Sequence, residues 1–164
     1  MSLKNIKILP RYRSGENNFA NDFFSPVLSE AIRYDRAVGY FSSTALIEIS
    51  QGISKLVKNG GKIRLVASPY LSPEDYEAIT KGYETRYAVI ERTLEKSLFE
   101  TKNYFDKERL NLLANLIANG SLDLRIAITD RVNSVYHEKF GIVEDNQGNQ
   151  IAFWIGTWKA EQPL

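Results

Sequence analysis

The sequence has no cysteine and a single histidine, His137, among its 164 residues. Without cysteine, neither a disulfide framework nor a thiolate metal site can form, which is compatible with a reducing, cytoplasmic compartment. A single histidine also excludes a metal site built from several histidines of one chain.

Long apolar runs and an excess of charge are also missing. No run approaches the length needed to cross a membrane, and the start of the chain lacks the apolar segment of a signal peptide. We therefore predict a cytoplasmic protein with no membrane partner. The net charge of +1 neither favours nor excludes nucleic acid, which would need a local basic patch.

The length and the hydrophobic content of 43% fit one domain over residues 1–164 that can bury a core. Residues 1–3 can be an expression tag and are left out of the fold prediction. The chain can also be a piece of a longer protein. No internal repeat or low-complexity segment divides it.

Strands alternate with helices along most of the chain. Residues 36–41 and 62–68 are predicted strands, and the helix between them ends at 59–61; Ser42 or Ser43 is its predicted N-cap. Its apolar residues recur at helical spacing: Leu46, Ile49, Ile53 and Leu56. A strand, helix and strand of this length predict a parallel crossover.

Further helices are predicted before and after this unit. Residues 19–34 are predicted as a helix in two pieces, with Ser25 as an N-cap before Pro26. Residues 69–119 are predicted to be helical with breaks and to stop at Gly120. One apolar stripe of this region consists of Leu110, Leu113 and Ile117, and a strand follows from Leu122. The fold class is α/β, a mixed sheet flanked by helices.

Residues 4–13 carry four cations and no acid, interleaved with apolar residues. One interpretation is a basic edge strand or arm that contacts phosphates. The other is an ordinary solvated edge strand in which lysine discourages aggregation.

The segment 135–143, followed by a turn at 146–149 and the segment 151–157, predicts a hairpin with polar chemistry. Residues two apart on a strand share a face, so His137 and Lys139 project side by side, and Gly141 leaves space next to them. An imidazole can act as nucleophile or proton acceptor, and an ammonium holds an anionic group. The pair predicts a phosphate ester as substrate, although it also fits an incidental polar pair.

These residues resemble the HKD motif of the phospholipase D superfamily: His137-Glu138-Lys139, an acid at Glu144 or Asp145, then Gly156-Thr157-Trp158-Lys159. The resemblance implies that the histidine attacks phosphorus, that the lysine and the threonine bind phosphate oxygens, and that neither a metal nor a cofactor is needed. Gly156, Glu144 and Asp145 would support the site. Lys159 stands where the family has asparagine, and the family's acid beyond that element has no counterpart here.

The run 39–43, Gly-Tyr-Phe-Ser-Ser, with the later H-x-K, is similar to single-motif nuclease-like domains at the start of bacterial helicase and restriction proteins. The resemblance implies an αβα sandwich and a C-terminal helicase domain in the native protein. One histidine cannot easily both attack phosphorus and protonate the leaving oxygen, so a homodimer that pairs two motifs is expected.

Two functions remain open from the sequence. The first is a metal-independent DNA endonuclease that acts through a phosphohistidine. The second is a non-catalytic nucleic-acid-binding or dimerisation module on the same fold, which Lys159 favours because an extra ammonium strengthens phosphate binding. A lipid-directed phospholipase has less support, since the sequence shows no amphipathic membrane-binding stretch.

Overall fold

A computed structural model describes residues 2–13, 15–39, 48–68, 111–112, 115–127, 136 and 138–155. Within these ranges the protein is α/β, with one five-stranded mixed sheet in the order β3-β2-β1-β4-β5. The strands are β1 (Ala31–Val38), β2 (Lys62–Ala67), β3 (Leu122–Ile126), β4 (Phe140–Asp145) and β5 (Gln150–Trp154).

The sheet has a parallel half and an antiparallel half. β1 pairs in parallel with β2, and β2 in parallel with β3, which confirms the predicted crossover. On its other side β1 pairs with β4, and β4 with β5, both antiparallel. The predicted hairpin is thus confirmed, and it forms one edge of the sheet.

The helical segment before β1 is shorter than the sequence predicted. A π-helical turn, Ala20–Phe24, runs directly into α1, Ser25–Ser29, and β1 begins at Ala31, so the helix prediction through Tyr34 is wrong. Ser25 is not an N-cap either. Its backbone is already helical, and its N–H donates to the carbonyl of Ala20.

The helix α2, Ser50–Lys58, follows its predicted pattern. Ile53 and Leu56 are fully buried and Ile49 nearly so. The last helical residue is Lys58 and Asn59 is the C-cap. Gly60, which follows, adopts a φ of +75°, a conformation that favours glycine over residues with a side chain. The predicted caps Ser42 and Ser43, and Leu46, lie outside the described residues.

A further helical stretch covers residues 115–118 and ends at Gly120, whose φ is +68°. The stop was predicted correctly, but the buried side was not. Leu116 is buried, whereas Ile117 is 47% exposed. Leu110 and Leu113 lie outside the described residues.

The described helices pack on one face of the sheet, here called the core face. Alternate residues of β2 and β1 point to it, and the core comprises chiefly Val27, Leu28, Tyr34, Ile53, Leu56, Ile63, Leu65 and Val143. The opposite, open face carries exposed charged pairs such as Arg64 with Asp35 and Arg125 with Asp123. The protein is therefore α/β with an open mixed sheet, and helices flank one face of its described part.

The N-terminal segment belongs to the fold. Leu3 is 4% exposed and packs in the core, so leaving out residues 1–3 was wrong for Ser2 and Leu3. A short 3-10 helix, Leu3–Asn5, opens the segment, and residues 6–13 form no strand, so the edge-strand prediction is wrong. In the described part of the chain, no helix is long and apolar enough to cross a membrane.

Candidate active site at the open end of the hairpin

At the open end of the hairpin, Lys139 pairs with Ile155, the last described residue before Gly156. The backbone N–H of Ile155 donates to the carbonyl of Lys139 over 2.9 Å, which extends the β4–β5 ladder by one pair beyond Phe140 and Trp154. Lys139 directly follows the H-x position of the motif, and Ile155 directly precedes Gly-Thr. The H-x-K segment and the G-T segment therefore leave the described hairpin from the same pair of residues.

This open end lies beside the carboxyl ends of the parallel strands. β4 runs antiparallel to β1, and Phe140, the first residue of β4, pairs with Ala37 near the end of β1. Ligand sites of open α/β sheets lie outside the carboxyl ends of the strands, where strand order reverses. Here the carboxyl end of β1 lies between the parallel strand β2 and the antiparallel strand β4.

Only part of the predicted site falls in the described structure. His137, Gly156, Thr157 and Lys159 lie outside the described residues. Lys139 is half-buried and stands one residue before β4. The strand was predicted to start at residue 135, but Tyr136, Glu138 and Lys139 all precede it.

Gly141 does not provide an open space. A Cβ at this position would clash with the Phe153 ring, so the absent side chain makes room for that ring and not for substrate. Phe153 in turn meets Phe23 and Phe24 at centroid distances of 4.9 and 5.5 Å. The glycine thus lets an aromatic cluster pack against the hairpin, close to Lys139.

The two predicted supporting acids lie at the other end of β4, about 17–20 Å from Lys139 along an extended strand. Glu144 points to the open face, where its carboxylate accepts from Gln150 over 2.7 Å and lies 3.7 Å from Arg33. These contacts of Glu144 stabilise the hairpin, and they do not involve the ammonium of Lys139.

Asp145 is 1% exposed, and its carboxylate accepts five hydrogen bonds. The donors are the Ser2 hydroxyl, the Asn149 amide and the backbone N–H groups of Leu3, Gln147 and Asn149. Burial alone would raise the pKa of Asp145, but these donors outweigh it and hold the pKa well below its usual range. Asp145 joins the hairpin turn to the N-terminal segment.

Arg36 is a charged residue of this region that the sequence reasoning did not select. It pairs with Gly141 across β1 and β4, and its Cζ lies 5.4 Å from the centre of the Phe153 ring. Its Nη1 is buried without a hydrogen-bond partner among the described residues. Burial lowers the pKa of the guanidinium, against the opposing effect of Tyr34.

The side of β1 on which Arg36 lies could be recognised only once the bounds of the strand were known. Tyr34, Arg36 and Val38 alternate on the side of β1 that the strand turns to the core, so an arginine in that series is unusual. Arg36 is half-buried, and its buried Nη1 has no partner among the described residues. Because Arg36 pairs with Gly141, two residues from Lys139, it is suited to hold an anionic oxygen at this end of the sheet.

A polar groove of about 630 Å³ lies elsewhere, between the N-terminal segment and the helices α1 and α2. Its lining includes Ser2, Asn21, Glu30 and Lys55. Ser2 bonds Asp145, so the groove lies near the turn end of the hairpin and apart from Lys139. The described residues contain no group of three potential metal-ligating side chains.

Comparison with protein-family models gives no match. Comparison with curated proteins gives no match either.

Proposed function

We propose that this chain is a metal-independent phosphodiesterase module of the phospholipase D type that cleaves DNA as a homodimer. The observation that carries the proposal is the hydrogen bond between Ile155 and Lys139. It supports a site in which the H-x-K segment and the G-T segment lie side by side, as the HKD resemblance requires. The buried guanidinium of Arg36 adds a second cation to that end of the sheet.

In the proposed reaction, an imidazole nitrogen of His137 attacks phosphorus and the bond from phosphorus to the leaving oxygen breaks. The protonated His137 of the second chain gives its proton to that oxygen. The same residue then removes a proton from the water that hydrolyses the phosphohistidine. Lys139 and Thr157 hold the non-bridging oxygens, and Lys159 replaces the family's asparagine. No metal or cofactor takes part.

The wider setting is part of the same proposal. The fold would be the αβα sandwich of that superfamily, and the protein would work in the cytoplasm next to a C-terminal helicase or restriction domain. The αβα sandwich and the neighbouring domain are implied by the resemblance. The five-stranded mixed sheet is compatible with such a sandwich.

The test is cleavage of plasmid and single-stranded DNA in the presence of a chelator, beside His137→Ala and with the molecular mass measured on the same sample. We expect a dimer whose cleavage falls by at least about 10³-fold in the variant, since removal of a nucleophile leaves only residual catalysis. Lys58→Ala, on the exposed side of α2, serves as the control that keeps full activity. Cleavage that survives His137→Ala would exclude the phosphohistidine mechanism.

A non-catalytic nucleic-acid-binding module is the second candidate, because the sequence has a lysine, Lys159, where the family has asparagine, and Arg36 adds a cation beside the hairpin. It predicts salt-dependent DNA binding by the wild type with no product at any enzyme concentration.

A further inference from the structure

Residues 4–13, here called the basic arm, carry positively charged side chains and no negatively charged one. Lys4, Lys7, Arg11 and Arg13 are all exposed, and the arm contains no acid. Among the described residues, only Arg13 of these four has an acidic partner, Glu16, at 3.5 Å, and both side chains are more than half exposed. A pair of this kind is worth little, so the four charges remain available to an anionic partner.

Internal contacts hold the arm in place. At its start, the N–H of Leu3 donates to the Asp145 carboxylate over 2.9 Å. Ile6, Ile8 and Tyr12 pack against the core, and the Leu9 N–H donates to the Tyr12 hydroxyl over 3.1 Å. Ile6, Ile8 and Tyr12 therefore face the core while the cations face solvent. An anchored arm loses little conformational entropy when it binds a partner.

The direction of the arm relates it to the candidate site. It starts beside Asp145, at the turn end of the hairpin. At its other end the Tyr12 ring lies 5.4 Å from Phe23, whose ring lies 4.9 Å from Phe153, the residue that covers Gly141. Gly141 is two residues from Lys139. The arm thus runs along the hairpin toward the end where the H-x-K segment leaves it.

We propose that the basic arm binds the phosphate backbone of the nucleic acid strand that enters the site at Lys139, and so makes a polymer, not a small phosphodiester, the preferred substrate. This inference rests on the proposed function. The six residue steps from Lys7 to Arg13 span at most about 20 Å, and one strand of B-DNA has a phosphate about every 3.4 Å of axis, so the arm reaches roughly six nucleotides.

A polynucleotide fits the arm better than a membrane surface does. Binding to a bilayer needs an apolar face presented to the lipid. In the arm, the side chains of Ile6, Ile8 and Tyr12 pack against the core, and Leu9 is 41% exposed. Several exposed cations without an accompanying apolar face favour a polyanion with discrete, repeated charges.

The test compares two variants of equal charge. The arm variant is Lys7→Gln with Arg11→Gln, and the control is Lys58→Gln with Lys62→Gln, which lie at the end of α2 and the start of β2. All four residues are exposed, and thermal unfolding checks that both variants stay folded. Anisotropy titrations of a labelled DNA duplex and of a labelled single strand, each over a range of salt, are run in the His137→Ala background, so that no substrate is consumed.

For the arm variant we expect affinity about tenfold lower, and a salt dependence of log K shallower by about 1.8 for duplex or about 1.4 for single strand, since two phosphate contacts are lost. The control should keep the wild-type slope. Equal slopes for the arm variant and the control would refute the arm as a DNA-binding surface. Equal weakening of both would show bulk charge only, and would refute it too.

Hydrolysis of a small diester, bis(p-nitrophenyl) phosphate, separates this inference from the proposed function, because such a substrate is too short to reach the arm. When the arm variant keeps His137, it should hydrolyse the small diester at the wild-type rate, while its cleavage of DNA falls. If the wild type hydrolyses neither substrate but the arm variant loses DNA affinity, the catalytic proposal fails and the arm stands. Loss of small-diester hydrolysis in the arm variant would overturn the assignment of the arm to the polymer.

Discussion

Asp145 and Arg36 both carry a charge on the core face of the sheet, but their surroundings differ. The Asp145 carboxylate accepts five hydrogen bonds, from the hairpin turn and from the N-terminal segment. The Arg36 guanidinium stacks on Phe153 and leaves Nη1 without a partner in the described structure. A fully satisfied buried charge is explained by the fold that it holds together. An unsatisfied one calls for a ligand, since burying an unpaired donor costs free energy.

This difference separates the two ends of the hairpin. The turn end, at Asp145, is closed by contacts between residues far apart in sequence, and it anchors the basic arm. The open end, at Lys139, has Arg36 on the neighbouring row and Trp154 78% exposed beside it. The first end accounts for stability and the second is where a substrate could bind.

The largest effect is expected from Asp145→Ala. It leaves the donors at Ser2, Leu3, Gln147 and Asn149 without their acceptor inside the fold, so we expect a Tm lower by roughly 10 °C and release of the N-terminal segment. Thermal unfolding and hydrogen exchange at Leu3 measure this. Glu144→Ala, next in sequence but on the open face, is the matched control and should change Tm little.

The contribution of the Asp145 carboxylate to stability should also depend on pH. Its folded pKa lies below its unfolded pKa of about 3.9, so its contribution is fully present above pH 4 and is lost as pH falls toward the folded value. The difference in Tm between wild type and Asp145→Ala should therefore shrink between about pH 4 and pH 2. A difference that stayed constant over that range would show that ionisation of Asp145 does not matter.

Arg36→Met should have a smaller effect on stability and a clear effect on binding. Replacing a buried, unpaired cation with an apolar side chain of similar length is expected to change the free energy of unfolding by less than about 1 kcal/mol or to raise it. If the guanidinium holds a phosphate oxygen, DNA affinity falls about tenfold to a hundredfold. Urea unfolding and anisotropy titration on the same samples separate the two results.

Arg125→Met is the control for charge, because Arg125 lies on the open face and is 74% exposed in its side chain. It removes one cation from the sheet and should leave DNA affinity unchanged. A strongly destabilised Arg36→Met with normal affinity would instead make Arg36 a structural residue and remove the distinction from Asp145.

The sequence predicted those parts of the fold that depend on local patterns. Alternation in β2 placed Ile63, Leu65 and Ala67 on the core face, and Asn59-Gly60 marked the end of α2. The start of β1 could not be found in this way. The register shifts between Ala31 and Arg33, so the alternation is broken where the helix prediction ran on.

For the candidate site, the alternation of the two strands and the turn between them predicted that the H-x-K and G-T segments approach each other, and the described hairpin brings Lys139 and Ile155 together. The environments of Asp145 and Arg36 were beyond the sequence. Asp145 is bonded by Ser2 and Leu3, more than 140 residues away, and Phe153 reaches Arg36 only because Gly141 lacks a side chain. Such contacts depend on tertiary packing, which local spacing does not encode.

The smallest effect is expected from Asp35→Asn. Asp35 adds to the comparison a partly exposed carboxylate that is paired with arginines. Asp35 lies on the open face and accepts from Arg64 Nε over 2.6 Å and from Arg33 Nε over 2.8 Å. Partial burial would raise the pKa of Asp35, but the two arginines outweigh it and the pKa is lowered. Because these partners are exposed and screened by water, we expect a loss of at most about 1 kcal/mol at pH 7. The loss should shrink as pH falls below about 4, where the carboxylate begins to protonate in the unfolded chain, and should vanish only below the lowered pKa of the folded state.

Urea unfolding at low and high salt measures the effect of Asp35→Asn, with Asp123→Asn as the matched control, since Asp123 pairs with Arg125 on the same face. Both effects should be smaller at high salt, because dissolved ions screen exposed pairs. If Asp35→Asn cost as much stability as Asp145→Ala, neither burial nor the number of hydrogen bonds would decide the worth of a charge in this sheet, because the Asp35 carboxylate is more exposed and accepts fewer hydrogen bonds than that of Asp145.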